Sequence, residues 1–118
     1  MVPISDQTMA AIEYAMSALN TRAEVIANNV ANSEVPGFRA SRVSFEDQLL
    51  RAINGDRIER VQGPEVAGTN DPVDAIGNNV NIENEVVEMM ETNLLQQARV
   101  EAFNFKTGLM RSAIGRTS

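Results

Sequence analysis

The sequence predicts an all-α fold in which two long terminal helices form a coiled-coil-like pair and are joined by a loop-rich middle with one short helix. Apolar residues recur at alternating intervals of three and four through the first third, and a similar periodicity returns in the last third. Prolines and glycines are concentrated between these two stretches. We therefore divide the 118 residues into an N-terminal axial helix with a Pro-Gly turn (1–37), a loop-rich middle segment (38–80) and a C-terminal axial helix (81–118).

The first helix is expected over about residues 5–32, with Ser5 as its N-cap and Ile4 and Met9 as the hydrophobic staple. An asparagine-rich stretch followed by Pro36 and Gly37 predicts its end. The residues of its apolar seam, spaced alternately by three and four, are Met9, Ile12, Met16, Leu19, Ala23, Ile26 and Val30.

The middle segment contains one expected helix, from Ser44 to Asn54, with Ser44 and Asp47 as a variant of the capping box. A brief extended segment is expected at residues 57–61, and residues 63–77 are interpreted as loop.

The last helix is expected from Asn81 to Ile114. Its heptad seam, of which three members are polar, runs through Ile82, Val86, Met89, Asn93, Gln96, Val100, Phe103, Thr107, Met110 and Ile114. A second apolar stripe repeats every eleven residues and contains Val87, Ala98 and Leu109 on one line and Leu94 and Phe105 on another. A helix with so broad an apolar surface can contact more than one neighbour.

The composition excludes most catalytic chemistry. The chain has no cysteine, histidine or tryptophan and only 4% aromatic residues, so thiol and imidazole catalysis, disulfides and the usual zinc ligands are excluded. A net charge of −6 argues against a nucleic-acid-binding surface. No apolar run approaches the roughly 18 to 20 residues that span a bilayer, and the N-terminus lacks the features of a cleaved signal. We therefore expect that the protein is not an enzyme and that it binds neither a cofactor nor a metal.

A glutamate-rich stretch at the start of the last helix is the one candidate for a metal or acid/base site; it contains Glu83, Glu85, Glu88 and Glu91. Hard cations require about six to eight converging oxygen ligands, usually from a loop. We interpret the stretch as a solvated, acidic helix start.

Asparagines near the end of the first helix allow two interpretations. Capping explains Asn32, but Asn28 and Asn29 are unfavourable inside a helix and suggest a lateral hydrogen-bonded contact. Both interpretations remain open from the sequence alone.

The seams predict assembly with other chains. Helices of these lengths extend roughly 40 and 50 Å at 1.5 Å per residue, which is longer than a compact domain of this size. Their apolar faces are therefore expected to contact copies or partners. The candidate assembly interface contains Met9, Ile12, Met16, Leu19, Ile26, Val30, Val86, Met89, Val100, Phe103 and Met110.

Residues 21–40 resemble the N-terminal signature of bacterial flagellar rod, hook and related axial proteins. The shared pattern is an arginine, an Ile-Ala-x-Asn-hydrophobic-Ala-Asn core and a Pro-Gly-aromatic turn, here Arg22, residues 26–32 and residues 36–38. Residues 43–49, 77–86 and 109–114 are similar to a short proximal-rod member of that family. Val35 departs from the threonine usual in the family, and Gln96 and Gln97 stand where a tyrosine is common.

The resemblance implies a nonenzymatic structural subunit of the proximal rod in the flagellar basal body, which spans the periplasm. It implies polymerisation through the terminal helices and export through the flagellar type III apparatus without signal cleavage. The implied partners are other rod proteins, the rotor-side rod adaptor, the export apparatus, the rod-cap protein and copies of the chain itself, with neither nucleic acid nor membrane insertion. Asn28, Asn32, Pro36 and Gly37 would shape the turn that ends the first helix.

Two other classes remain as alternatives. A self-contained helical adaptor or export-chaperone-like protein would bury both seams internally. A metal-dependent enzyme would use the glutamate-rich helix start.

Overall fold

The computed structural model describes residues 3–54 and 63–117. In chain order these residues form α1 (Pro3–Ala31), β1 (Ser41–Ser44), α2 (Glu46–Ile53), β2 (Glu65–Gly68) and α3 (Ile82–Thr117). The molecule is elongated, with principal extents of 67 × 25 × 14 Å. The expected segment at 57–61 lies outside the described residues.

The two long helices lie side by side and antiparallel, so the prediction of two long terminal helices is confirmed. The Nε2 of Gln96 donates to the Oδ1 of Asn20 at 3.4 Å, and the start of α3 lies beside the end of α1. Helix α1 begins at Pro3, so the assignment of Ser5 as its N-cap is wrong. Proline is favoured in the first helical turn because it has no N–H to leave unpaired.

The fold also contains a small sheet, which makes the all-α prediction incomplete. Strands β1 and β2 pair antiparallel, with Ser41 opposite Gly68 and Ser44 opposite Glu65. The interpretation of 63–77 as loop is therefore wrong at β2. Four-residue strands are too short to show a period of two, and their pairing depends on contacts distant in sequence.

The hydrophobic core lies where α2 packs on the middle of α1. Its buried members are Ala15, Ala18, Leu19, Phe45 and Leu49, with Ala11 and Tyr14 packed against them. The rings of Tyr14 and Phe45 are tilted, with their centroids 6.4 Å apart. The short helix is thus confirmed, and its contact with α1 fixes the middle segment on the helix pair.

The predicted capping box of α2 is wrong. Helix α2 begins at Glu46, its N-cap residue is Phe45, and no side chain caps it. Ser44 instead ends β1. The carboxylate of Glu46 accepts from the N–H of Phe45 at 3.2 Å, which supplies a partner to the backbone at the helix start.

The face of α3 that is least exposed coincides only in part with the predicted seam. Residues with reduced exposure recur every three or four positions at Glu85, Met89, Thr92, Gln96, Arg99, Phe103, Lys106 and Met110. Met89, Gln96, Phe103 and Met110 of the predicted seam lie on this line. The seam members Val86 and Val100 lie off the line and are 50% and 42% exposed. The residues of α3 that face α1 are therefore largely polar, and much of the apolar surface of α3 is exposed to solvent.

Candidate functional site

Three elements meet at the end of α1 through one buried polar cluster, which we call the polar junction: Asn29, Arg42 and Glu85. The side chains of Asn29 and Glu85 are fully buried. The Nδ2 of Asn29 lies 3.2 and 3.3 Å from the two carboxylate oxygens of Glu85. The Nη1 of Arg42 lies 2.7 Å from the Oε1 of Glu85, and this ion pair compensates the buried negative charge.

Asn29 also pairs with the backbone of β1 as a neighbouring strand would. Its Nδ2 donates to the carbonyl of Ser41 at 2.9 Å, and its Oδ1 accepts from the N–H of Ser41 at 3.1 Å. The cost of an asparagine inside a helix is thereby offset by contacts outside it. One amide group ties α1, β1 and α3 together.

Two further buried asparagines hold the segment before α3. The Nδ2 of Asn78 donates to the carbonyls of Asn32 and Val35, both at 2.8 Å, just beyond the end of α1. The Oδ1 of Asn79 accepts from the N–H of Ala40, and its Nδ2 donates to the Oγ1 of Thr69 at 2.9 Å. These bonds join the two halves of the chain beside the polar junction.

The chain turns after α1 through a β-turn at residues 35–38. The N–H of Phe38 donates to the carbonyl of Val35 at 3.2 Å, and Gly37 has a φ of +76°. Proline at the second position and a left-handed glycine at the third are typical of a type II turn. Gly77, with a φ of +78°, lies against it, since a Cβ there would be 3.5 Å from the Cα of Gly37.

Arg22 fixes the start of α2 against α1. Its guanidinium donates to the carbonyl of Val43 at 2.8 Å, pairs with Glu46 at 2.9 Å and lies 4.8 Å above the ring centre of Phe45. Burial on its own would raise the pKa of Glu46, but hydrogen bonds from the backbone N–H groups of Phe45 and Glu46 and the Arg22 charge outweigh it and hold that pKa below its ordinary value.

The chemistry of the polar junction is that of a structural joint. The amide of Asn29 and the carboxylate of Glu85 bond within the junction or to the backbone, and none of the three residues is a nucleophile. In the part of the chain that the structure describes, no three acidic side chains converge on a possible metal position. Within the same residues, no helix is apolar over a length that could cross a membrane.

A shallow groove of about 760 Å³ runs between α1 and α3 on the side away from α2. Its floor and walls combine apolar side chains with amides: Met16, Ser17, Asn20, Asn93, Gln96, Gln97, Val100 and Glu101. Gln96 and Gln97, which stand where the flagellar axial proteins commonly have a tyrosine, line this groove. The side chain of Gln96 donates a hydrogen bond to that of Asn20 across it. The groove offers a surface for another helix and no enclosed pocket for a small ligand.

Comparison with known proteins relates the chain to one family. The sequence model of the family described as flagella basal body rod protein matches residues 12–39, which include Asn29 of the polar junction and the turn at residues 35–38. Flagellar basal body rod protein FlgB of Bacillus subtilis (strain 168) is 29% identical over 120 residues, covering 91% of this chain and 92% of the relative. FlgB of Aeromonas hydrophila is 28% identical over 131 residues, covering 93% and 95%.

A second kind of rod protein matches only the N-terminal region. Flagellar basal-body rod protein FlgG of Bacillus subtilis (strain 168) is 38% identical over 55 residues, which is 47% of this chain and 20% of FlgG. The FlgB relatives, by contrast, are matched over nearly their whole length. The chain is thus similar to flagellar basal body rod proteins over most of its length.

The rod-family signature lies at the folded centre of the molecule. Arg22 holds α2, Asn29 forms the polar junction, and Gly37 makes the turn after α1. Asn32, whose Nδ2 donates to the carbonyl of Asn28 at 2.7 Å, ends α1 as the capping interpretation expected. For Asn29 the lateral-contact interpretation is correct, whereas Asn28 is exposed.

The candidate interface residues fall into three groups. Leu19 and Ile26 are buried within the chain, at 1% and 2% exposure. Val30, Val86 and Val100 are exposed. The half-buried members, which lie along both helices, are Met9, Ile12, Met16, Met89, Phe103 and Met110.

Sequence reasoning missed several residues that hold the site. The solvated interpretation of the glutamate-rich stretch is wrong for Glu85, which is fully buried. No role was predicted for its partner Arg42, or for Asn78 and Asn79. The available signal was the cluster of asparagines just before α3, because short polar side chains in that density commonly bond to backbone.

Proposed function

We propose that the chain is a structural subunit of the bacterial flagellar rod that assembles through its two terminal helices. The family supports a structural, nonenzymatic subunit, and the FlgB relatives support a place in the basal body rod. The match to FlgG supports other rod proteins as partners. Export through the flagellar type III apparatus and contacts with a rotor-side adaptor or rod-cap protein belong to this proposal as implications of the resemblance.

The observation that carries the assembly mode is the apolar surface left along the helix pair. Val86 and Val100 are half exposed on α3, and Met16 and Val100 line the groove between the helices. An elongated pair only 14 Å deep along its shortest axis has few residues that it can bury internally. Neighbouring subunits that fill the groove would bury these side chains and stabilise both long helices.

A self-contained adaptor is not favoured, because its apolar faces would be buried internally whereas those of α3 are exposed. The buried position of Ile26 also decides how the proposal is tested. A charge placed at Ile26 would disrupt the folded chain itself, so loss of assembly would carry no information about the interface.

The test is complementation of a strain that lacks the gene, with variants at exposed positions. Val100→Glu places a charge in the groove, and Val73→Glu makes the same change at an exposed position of the loop before α3. We expect the unchanged chain and Val73→Glu to restore rods in isolated basal bodies and swimming motility, and Val100→Glu to restore neither while reaching normal cellular levels. Rods in the strain without the gene would refute the function, and rods built by Val100→Glu would refute the groove as interface.

A further inference from the structure

Helix α3 carries a second row of side chains on the side opposite α1. Its members follow one another at alternating intervals of four and three residues, as in the seam of a coiled coil. We call this row the outer seam; it contains Val87, Glu91, Leu94, Ala98, Glu101 and Phe105. At about 100° per residue, it lies half a turn from the line that begins at Glu85 and faces α1.

Every member of the outer seam is exposed. The large apolar members Val87, Leu94 and Phe105 are 53%, 65% and 69% exposed. They lie along about 27 Å of helix, at a rise of about 1.5 Å per residue. Large apolar side chains exposed along one face over such a length indicate a surface for a partner.

Two of the six members of the outer seam are glutamates, which are ten residues apart. A helix packed along the outer seam would cover Glu91 and Glu101 together with their apolar neighbours. A carboxylate that loses its water without gaining a positive partner is strongly destabilising. A helix that covers the outer seam must therefore bring a lysine or an arginine to each of the two glutamates.

The outer seam does not complement itself, because it contains no lysine or arginine. Two parallel copies in register would place Glu91 beside Glu91 and Glu101 beside Glu101. Two antiparallel copies would place each glutamate beside another glutamate or beside an uncharged side chain. Arg99 and Lys106 are half-buried on the line toward α1, and Arg111 lies about a third of a turn away from the outer seam. A second copy of this face therefore supplies no positive charge.

We propose that the outer seam binds an amphipathic helix of another protein, whose apolar stripe carries two lysines or arginines ten residues apart. Leu94 and Ala98 pack against the apolar residues between the two ion pairs, and Val87 and Phe105 pack at the two ends. Charges within an otherwise apolar seam fix the register of the partner and reject helices that lack the opposite charge. The intervals from Glu91 to Glu101 are three, four and three, so the charges fit a partner helix in either direction.

Two synthetic peptides test the proposal with the full-length chain. Both have about 21 residues, or three heptads, and present leucines at intervals of four and three. The seam peptide carries two lysines ten residues apart within this row. In the control peptide these lysines exchange places with two glutamines of the opposite face, so that the composition and net charge are unchanged.

Binding is measured by fluorescence anisotropy of the labelled peptides. We expect the seam peptide to bind with a dissociation constant below about 100 μM and the control peptide to bind at least about tenfold more weakly. Equal affinities would show an unspecific attraction to an acidic protein and would overturn the proposal. Absence of binding by the seam peptide would overturn it as well.

Charge reversal at Glu91 makes the test specific to the outer seam. Glu91→Lys should weaken binding of the seam peptide at least about tenfold, and a seam peptide with glutamate in place of one lysine should restore it. Glu101 is left unchanged because it also lines the groove between α1 and α3. Glu24→Lys, the same change at an exposed position of α1, should leave binding unaltered. Equal losses in the two variants would contradict the assigned surface.

Self-association is the competing outcome, and Leu94→Glu distinguishes it. Because Leu94 points away from α1, we expect this variant to keep its circular dichroism and to lose binding of the seam peptide. Sedimentation equilibrium at about 100 μM should show the same state of association as for the unmodified chain. A dimer that Leu94→Glu dissociates would assign the outer seam to a second copy. These measurements do not depend on rod assembly, so failed complementation would overturn the rod function and leave peptide binding in place.

Discussion

The Nδ2 of Asn29 lies within 3.3 Å of both carboxylate oxygens of Glu85, although the two residues are 56 positions apart in the sequence. Asn29 is the asparagine of the rod-family signature that points into the molecule, and Glu85 lies in the first turn of α3. The contact therefore fixes where α3 begins relative to the end of α1. Because both side chains are fully buried, neither can exchange its partner for water.

Asn29→Ala is expected to lower the free energy of unfolding by about 2–4 kcal/mol. The substitution removes one partner from each backbone group of Ser41 and one donor to the buried Glu85 carboxylate. Urea denaturation followed by circular dichroism measures the change. Asn28→Ala is the matched control at an exposed position one residue away, and should change stability by about 0.5 kcal/mol or less. Equal effects at the two positions would show that the junction contributes little.

Two glycine-to-alanine substitutions should act in opposite directions. Gly37 has a φ of +76°, and a Cβ added there would meet no atom within 4 Å, so alanine costs about 1–2 kcal/mol in backbone strain alone. Gly108 lies exposed inside α3, where alanine is the better helix former by about 1 kcal/mol. Thermal denaturation should show a lower melting temperature for Gly37→Ala and a higher one for Gly108→Ala. A stabilised Gly37→Ala would contradict the type II turn.

The stability of the fold should decrease as the pH falls through the titration of Glu46. Its pKa is lower in the folded chain than the ordinary value of 4.5, so near and below pH 4.5 the unfolded chain binds the proton first. The stabilisation from its ionised form is thus fully present above pH 4.5 and is lost as the pH falls through the folded pKa. The effect is modest because the Glu46 side chain is 56% exposed.

Denaturation at pH 7 and pH 4 compares the wild type with Glu46→Gln. We expect the variant to lose less stability between the two pH values, because it has no carboxylate to protonate. Asp47→Asn, a neighbouring exposed carboxylate in the same helix, is the control and should keep the pH dependence of the wild type. An identical pH dependence in Glu46→Gln and the wild type would refute the role of the Arg22 pair.

The long helices could be predicted because periodicity and the Pro-Gly turn are local signals. The turn at Gly37 was predictable for the same reason, and its φ is left-handed as a Pro-Gly pair favours. The sheet and the polar junction could not be predicted, since Asn29, Arg42 and Glu85 acquire their roles only when distant segments meet. A glutamate in the first turn of a helix is normally solvated there, and nothing in its immediate sequence indicates burial.

The least exposed line of α3 departs from the predicted seam at some positions for a related physical reason. Apolar residues lie all around this helix, so choosing the most apolar line selects Val86 and Val100 in place of the buried Glu85 and Thr92. Periodicity identifies a face only when polar residues occupy the remaining faces. Here the line toward α1 is rich in polar residues because it bonds to the junction and to the amides of α1, as Gln96 does with Asn20.

Substitutions at two members of the predicted seam, Phe103 and Val86, should show which part of that seam packs against α1. Phe103 is half-buried on the line toward α1, whereas Val86 is 50% exposed. Phe103→Ala removes a large aromatic contact between the helices and is expected to lower the free energy of unfolding by about 1–3 kcal/mol, given its partial burial. Val86→Ala should change it by about 0.5 kcal/mol or less.

The comparison requires dilute protein, so that contacts between copies do not contribute to the stability of either variant. Urea denaturation at two protein concentrations establishes that condition, because the midpoint of a monomer does not depend on concentration. A larger loss in Val86→Ala than in Phe103→Ala would show that Val86, and not Phe103, packs against α1. The expected order would instead show that the exposed Val86 contributes little to the stability of the monomer.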